Sequence, residues 1–263
     1  MDEAPSTPAT RLLVVIPAWN EAASIGSVVA AVRRELPEAV TLVVNDGSTD
    51  DTSAEARRAG ARVMDLPDNL GIGGAVQAGY LYAVREGFEV VARIDGDGQH
   101  PPSEILKVLA PVLEGRADLA IGSRFLEAGD YRPSRARRAG IRLFAWLLSR
   151  ICGQRLTDTT SGFRVSGRLA TAHMADRLPC DYPEVESLIS LRLAGYTLYE
   201  VPVEMADRAE GISSIGWTRA VYYVLKVLLA VAVDLCAKPH GSREEMARRF
   251  ASESKKASED ASC

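Results

Sequence analysis

The chain has 263 residues, 47% hydrophobic and 25% charged, with 31 Lys and Arg against 35 Asp and Glu and a formal charge of −4. This balance excludes disordered, collagen-like and coiled-coil classes and, for want of a basic excess, a general nucleic-acid binder. The length allows one large domain or two small ones with a core that needs no disulfide or metal staple. Cys152, Cys180, Cys236 and Cys263 show no CxxC spacing and read as reduced thiols of a cytoplasmic protein. The opening MDEAPSTPATR lacks the basic and apolar regions of a signal peptide, and the most apolar stretch, 220–237, is interrupted by Lys226 and Asp234. No membrane-spanning helix is expected.

In chain order, LLVVI (12–16), TLVV (41–44), ARVM (61–64), VVARI (90–94) and DLAIG (118–122) read as strands, separated by helical patterns at 22–35, 52–59, 74–86 and 103–114. Apolar strands spaced by helices predict an α/β fold with a mostly parallel sheet covered on both faces. Beyond Arg124 the pattern changes to an Arg-rich loop at 127–138, a helix at 139–152 and an irregular TDTTSGFR segment. A helix near 184–194, a strand at 197–204 and a long helix at 217–237 follow, and residues 238–263 are expected to form a disordered tail, helical at most around 243–250.

Ligands of parallel α/β sheets bind at the carboxyl ends of the strands, so the residues after each strand carry the functional information. PAWNEAASI (17–25) presents Asn20 and Glu21 where a helix begins, which read alone are an N-cap and a first-turn acid. NDGSTDDT (45–52) is an acid-rich turn whose Asp46 could accept hydrogen bonds from a nucleobase or ribose. IDGDGQHPP (94–102) is the strongest signal. Asp95 and Asp97 lie two residues apart at a strand end, between glycines that admit a close ligand. Two neighbouring carboxylates repel unless a hard divalent cation, Mg²⁺ or Mn²⁺, sits between them and takes further ligands from phosphates. His100 is a candidate ligand or a turn residue bonded to backbone. With His173 and His240 as the other histidines and no HExxH, zinc is not expected. The glycines of NLGIGGAVQAGY (69–80) fit a tight turn and close helix packing better than a phosphate cradle. Arg124, Arg132, Arg135, Arg137, Arg138 and Arg142 form a local basic run suited to phosphate.

These motifs, with IGSRF (121–125), DTTSGFR (158–164), YPEVE (182–186) and EVPVEMADRAEGISSI (200–215), occur in an order that resembles glycosyltransferase family 2, over about residues 11–235. The branch most similar is that of the dolichol-phosphate mannosyltransferases and bacterial polyprenyl-phosphate glycosyltransferases. The resemblance implies a GT-A fold, with a flexible N-terminus at 1–10, a catalytic domain at 11–216, a packing or amphipathic helix at 217–237 and the tail at 238–263. It implies that Pro17, Ala18, Asn20, Glu21 and Asp46 hold the nucleoside, and that Asp95, Asp97 and Gln99 hold the metal and the donor diphosphate. Arg124 and Arg208 would neutralise phosphates, and Asp158, Ser161 and Gly162 would shape the sugar and acceptor side.

The implied reaction is metal-dependent, inverting transfer of a hexose from a nucleotide-diphosphate sugar of the GDP-mannose or UDP-glucose type, through an oxocarbenium-like state, to a polyprenyl phosphate. Such an acceptor is already nucleophilic, whereas a hydroxyl of a small molecule or glycan would need a base, for which Glu184 or Glu186 are the candidates. Two departures stand out. Asn45 occupies a position where the family often has Asp, and Ser213-Ser214 replaces the serine-lysine pair typical of the lipid-phosphate branch. The implied partners are the donor and the acceptor, with peripheral membrane contact at the inner face through 217–237, self-association, and no nucleic acid. A sugar nucleotidyltransferase would carry a glycine-rich loop where PAWNEAASI stands, and a non-catalytic sugar-nucleotide binder could lose the Asp pair, which is intact.

Overall fold

A computed structural model describes residues 10–126, 135–178, 183–205 and 242–260. The strands are β1 Leu12–Ala18, β2 Val40–Asn45, β3 Arg62–Asp65, β4 Val90–Arg93, β5 Leu119–Ser123, β6 Arg164–Gly167 and β7 Leu198–Pro202. They form one seven-stranded sheet in the order β3-β2-β1-β4-β6-β5-β7. β1, β2, β3 and β4 run parallel, β6 is antiparallel to both its neighbours, and β7 runs parallel to β5. The chain winds outward from β1 through β2 to β3, then returns to place β4 on the other side of β1. That reversal opens a crevice at the carboxyl ends of β1 and β4, where α/β sheets bind ligands.

The helices are α1 Ile25–Glu35, α2 Thr52–Arg58, α3 Gly71–Arg85, α4 Ile105–Leu113, α5 Arg135–Cys152, α6 Arg168–Arg177, α7 Pro183–Leu193 and α8 Arg243–Asp260, with a 3₁₀ turn at Pro102–Glu104 before α4. Successive residues of the central strands point to opposite faces, and both faces are apolar. Val14, Ile16 and Val43 pack with Val29 and Val32 of α1, Ala56 of α2 and Val108 of α4. Leu13, Val15 and Val44 pack on the other face with Val76 and Tyr80 of α3, Leu148 of α5, Met174 of α6 and Leu188 of α7. Gly79 lets α3 lie close on β1, since a Cβ there would stand 2.5 Å from Val15 Cγ1.

Three elements differ from the sequence expectation. β6 arises from the end of the segment read as irregular, with Arg164 fully buried within the sheet. α6 was not expected. Its residues Ala170–Ala175 are all buried, so it lacks the one-sided periodicity that marks a surface helix. In the tail over 238–263, where helix was expected no further than 243–250, α8 runs on to Asp260. Met246 of α8 is buried, Arg243 Nε donates to both carboxylate oxygens of Asp118 at 3.0 Å, and Phe250 lies under the Arg168 guanidinium at 4.3 Å. One apolar anchor and a few ionic contacts hold a sequence whose composition is otherwise that of a solvated helix. Among the described residues, no helix is long and apolar enough to cross a membrane. The helix expected at 217–237 lies outside the described residues.

Candidate active site

A cleft of about 560 Å³ occupies the β1/β4 crevice. Its lining comes from five places: Pro17, Ala18, Trp19 and Glu21 after β1; Asp46 after β2; Asn69, Gly71, Ile72 and Ala75 at the start of α3; Arg93, Asp95, Gly96 and Asp97 at the end of β4; and Thr160, Gly162 and Glu184 before β6 and at the start of α7. Among these described residues, five carboxylates face one guanidinium, that of Arg93.

On the β1/β2 side the polar groups are tied to one another. Asn20 sits at φ 56°, a left-handed conformation Asn tolerates better than most residues. Its Oδ1 accepts from Thr49 N at 2.9 Å, and its own N–H donates to Ser48 Oγ at 2.9 Å. The N–H of Glu21 donates to Thr52 Oγ1 and that of Ala22 to Asp50 Oδ2, at 2.9 and 3.1 Å. Asp46, 3% exposed, accepts from the Leu70 N–H at 2.7 Å and so fixes the approach to α3. Asn45 bridges Asp65 and Ser53 through Nδ2, at 2.9 and 2.7 Å, and its Oδ1 accepts from Ser48 N at 3.0 Å. The amide thus supplies both a donor and an acceptor, where a carboxylate could only accept. Hydrogen bonds from Ser53 and Asn45, then the Arg57 charge, hold the Asp65 carboxyl below its ordinary value of 3.8 despite partial burial.

The β4 side is charged. Among the described residues, Asp95 Oδ1 is buried and has no hydrogen-bond partner. Burial would raise its carboxyl, but the His100 ring and the guanidiniums of Arg93, Arg124 and Arg164 outweigh it and hold the group below the usual range. Asp97 Oδ1 accepts the Gln99 N–H at 3.0 Å. His100 Nδ1 accepts the Asp95 N–H at 3.0 Å and its ring stacks on Phe163 at 5.3 Å. Burial lowers its pKa against the pull of Asp95 and Asp97, and with its Nδ1 already engaged His100 anchors the turn. Arg93, 3% exposed, donates through Nη2 to Glu184 Oε1 at 2.6 Å and stands 3.7 Å from Asp95 Oδ1. Burial opposes its charge, and Glu184 and Asp95 outweigh that effect. Its cross-strand partner Arg164 donates to Ser161 O at 2.9 Å, Ser187 Oγ at 2.8 Å and Glu184 O at 2.7 Å. Burial pushes Arg164 down to about 10, so it is still charged at neutral pH.

The cleft therefore brings together Pro17, Ala18, Glu21, Asp46, Asp95, Asp97, Gly162 and Glu184 of the sequence-predicted set. Asn20 and Gln99 are not among its lining residues, Gln99 entering the local network through its backbone. Arg124 and Asp158, expected at the phosphates and the acceptor side, lie against each other. Nε and Nη2 of Arg124 each donate to Asp158 at 2.7 Å, and Asp158 is 1% exposed. Glu200 receives the N–H groups of Thr157 and Asp158, both at 2.8 Å, and fixes that loop from β7. Ser161 is buried with its Oγ accepting from Phe163 N at 3.2 Å, and Glu186 is buried outside the cleft lining. Arg208 and Ser213-Ser214 lie outside the described residues, as do Arg132 and the side chains of Arg135, Arg137, Arg138 and Arg142. Sequence reasoning missed Trp19, 56% exposed at the cleft, and Arg93. The signal for Arg93 was a guanidinium inside the apolar run VVARI, which must find a buried partner.

The acid-rich cleft lies at the switch point of an open sheet, the place where such folds bind their ligands. The chain belongs to glycosyl transferase family 2, whose family model matches residues 13–173. It is a glycosyltransferase. Among curated relatives, it is 32% identical to a polyprenol monophosphomannose synthase of Mycolicibacterium smegmatis, over 86% of this chain and 89% of that one. It is 33% identical to an undecaprenyl-phosphate mannosyltransferase of Micrococcus luteus, over 78% and 88% of the two chains. A solved structure of glucosyl-3-phosphoglycerate synthase from Mycobacterium tuberculosis, in complex with Mn²⁺, UDP and phosphoglyceric acid, superposes with TM-score 0.65 at 22% identity, over 85% and 79%. The fold is GT-A.

Proposed function

We propose that the chain moves a hexose from a nucleoside-diphosphate sugar to a polyprenyl phosphate, with inversion and with a divalent cation. The observation that carries the reading is the charge of the cleft, five carboxylates to one guanidinium, with Asp95 Oδ1 buried and unpartnered. A diphosphate is repelled by such a wall unless a cation comes with it. The residues fit that cation. A Cβ at residue 162 would stand 2.9 Å from both Asp95 oxygens, and Gly162 leaves that space open. Among the described residues no three His, Cys, Asp or Glu side chains form a closed cage, and an open carboxylate pair suits an ion that completes its shell with phosphate oxygens and water. Asp95 and Asp97 would hold Mg²⁺ or Mn²⁺, which when bound stabilises the negative charge left on the departing diphosphate.

The lining also supports an order for the donor across the sheet. Trp19 offers an exposed ring for stacking, and Asp46 an acceptor for the nucleoside, beside β1 and β2. The diphosphate then falls at β4, and the hexose toward Thr160, Gly162 and Glu184. An oxygen of the acceptor phosphate attacks the anomeric carbon as the bond from that carbon to the diphosphate breaks, and the nucleoside diphosphate leaves with the bonding electrons. No proton need be removed, which agrees with Glu184 being bound by Arg93 and not held free as a base. The names of the two curated relatives support the lipid-phosphate acceptor and a mannosyl donor. Such an acceptor places the reaction at a membrane surface on the cytoplasmic side, with the 217–237 segment as the contact.

A thermal-shift panel of GDP, UDP, GDP-mannose and UDP-glucose, each with and without Mn²⁺, tests the donor side, because a ligand at about 100 times its Kd stabilises by roughly 2.7 kcal/mol. A shift that requires both nucleotide and Mn²⁺ is expected. Equal shifts with and without Mn²⁺ would remove the cation from the reading.

A further inference from the structure

The proposed places of nucleoside, cation and diphosphate leave the Arg93–Glu184 pair without an assigned role. Arg93 is nine-tenths buried and more, lines the cleft, and has Nε with no hydrogen-bond partner among the described residues. Buried polar atoms in native proteins are nearly always satisfied, so an orphan donor beside a cleft calls for an explanation. The orphan acceptor Asp95 Oδ1 lies 3.7 Å from the same guanidinium. Glu184 is likewise on the cleft wall, with Oε1 taken by Arg93 and 18% of its side chain exposed.

The surroundings decide which chemistry fits. Arg93 is matched by Glu184 at 2.6 Å and by Asp95 at 3.7 Å, so this part of the wall carries no excess positive charge with which to hold an anion. What it offers is a fixed donor beside fixed acceptors, complementary to a hydroxyl, which both gives and receives a hydrogen bond. The pair is also rigidly built. Arg164, in register with Arg93 across the β4/β6 ladder, grips the Glu184 carbonyl at 2.7 Å and Ser187 at 2.8 Å, and so fixes the first turn of α7. Position across the sheet agrees, because β1 and β2 bear the nucleoside residues, β4 the Asp pair, and β6 with α7 the next place along the same line.

We propose that Arg93 and Glu184 form the hexose-reading pair of the cleft, hydrogen-bonding ring hydroxyls of the donor sugar and setting which hexose is accepted. The inference rests on the nucleotide-sugar reading above. It is tested by titrating the full-length protein with UDP, GDP, UDP-glucose and GDP-mannose in saturating Mn²⁺, as wild type and as Arg93→Lys, Arg93→Gln and Glu184→Gln. Arg93→Lys keeps the charge opposite Glu184 and removes Nε, so it stands even if the glutamines fail to fold. The expected result is a nucleoside-diphosphate Kd within about twofold of wild type, while the ratio of sugar-nucleotide Kd to nucleoside-diphosphate Kd rises by roughly tenfold or more, as loss of a hydrogen bond to a charged group implies. An unchanged ratio in folded variants that still bind the diphosphate would overturn the pair and leave the nucleotide-sugar reading intact. Failure of the wild type to bind any of the four nucleotides would overturn both.

Discussion

The two halves of the cleft are built on opposite plans. Around β1 and β2, the polar groups of Asn20, Asn45, Asp46 and Asp50 are engaged with backbone and side chains of neighbouring loops, so the wall is finished before any ligand arrives. Around β4, β6 and α7 the groups are charged and, among the described residues, include two buried atoms without hydrogen-bond partners, Asp95 Oδ1 and Arg93 Nε. The first half is a rigid frame whose shape selects. The second holds unsatisfied groups, and the free energy of satisfying them is available to binding.

The comparison can be broken at several points, the largest effect first. Arg124, although it follows β5 and lies beyond the β1/β2 frame, is fully paired, so Arg124→Ala should strip the bidentate partner from buried Asp158 and lower unfolding free energy by about 3 kcal/mol in denaturant titrations. Unchanged stability with lost activity would return Arg124 to the phosphates. Gly162→Ala should act the other way. Its Cβ would meet the Asp95 carboxylate, a side-chain end that can swing aside, so stability holds while turnover falls roughly 10–100-fold through misplacement. Asn20→Ala should cost about 1–2 kcal/mol, losing the Thr49 bonds and leaving Ala at φ 56°, and Asn20→Gly should cost less because glycine adopts that φ freely.

The smallest effect is a pH dependence. The folded-state pKa of Asp65 is depressed, so its contribution to stability is present above 3.8 and lost as pH falls below it. The stability gap between wild type and Asp65→Asn, measured by denaturant midpoints, should be widest near neutrality and close toward pH 2–3. A gap that widened in acid would reverse the assignment.

Much of this was legible from residues. The apolar runs gave six of the seven strands their places, and the three that end in PAWNE, NDGSTDD and IDGDGQH put Asp46, Asp95 and Asp97 at one edge, because the carboxyl ends of parallel strands lie together. β6 was hidden because a four-residue strand that opens on Arg164 carries no apolar run, and bonds to Ser161, Ser187 and Glu184 help make burying that guanidinium tolerable. α6 was hidden because its middle, Ala170–Ala175, is buried on every side and mixes small, polar and apolar residues without a one-sided period. The pairing of Arg124 with Asp158, 34 residues apart, depends on how β5 meets the loop before β6, a tertiary contact that no local pattern encodes.

The most direct test of the central claim is hexose transfer from labelled GDP-mannose or UDP-glucose to a polyprenyl phosphate, followed by partition of the label between organic and aqueous phases. The account predicts label entering the organic phase with Mn²⁺ or Mg²⁺, abolished by EDTA and reduced by on the order of 100-fold or more in Asp97→Ala. Organic-phase product formed equally well in EDTA, or by Asp97→Ala at the wild-type rate, would contradict it.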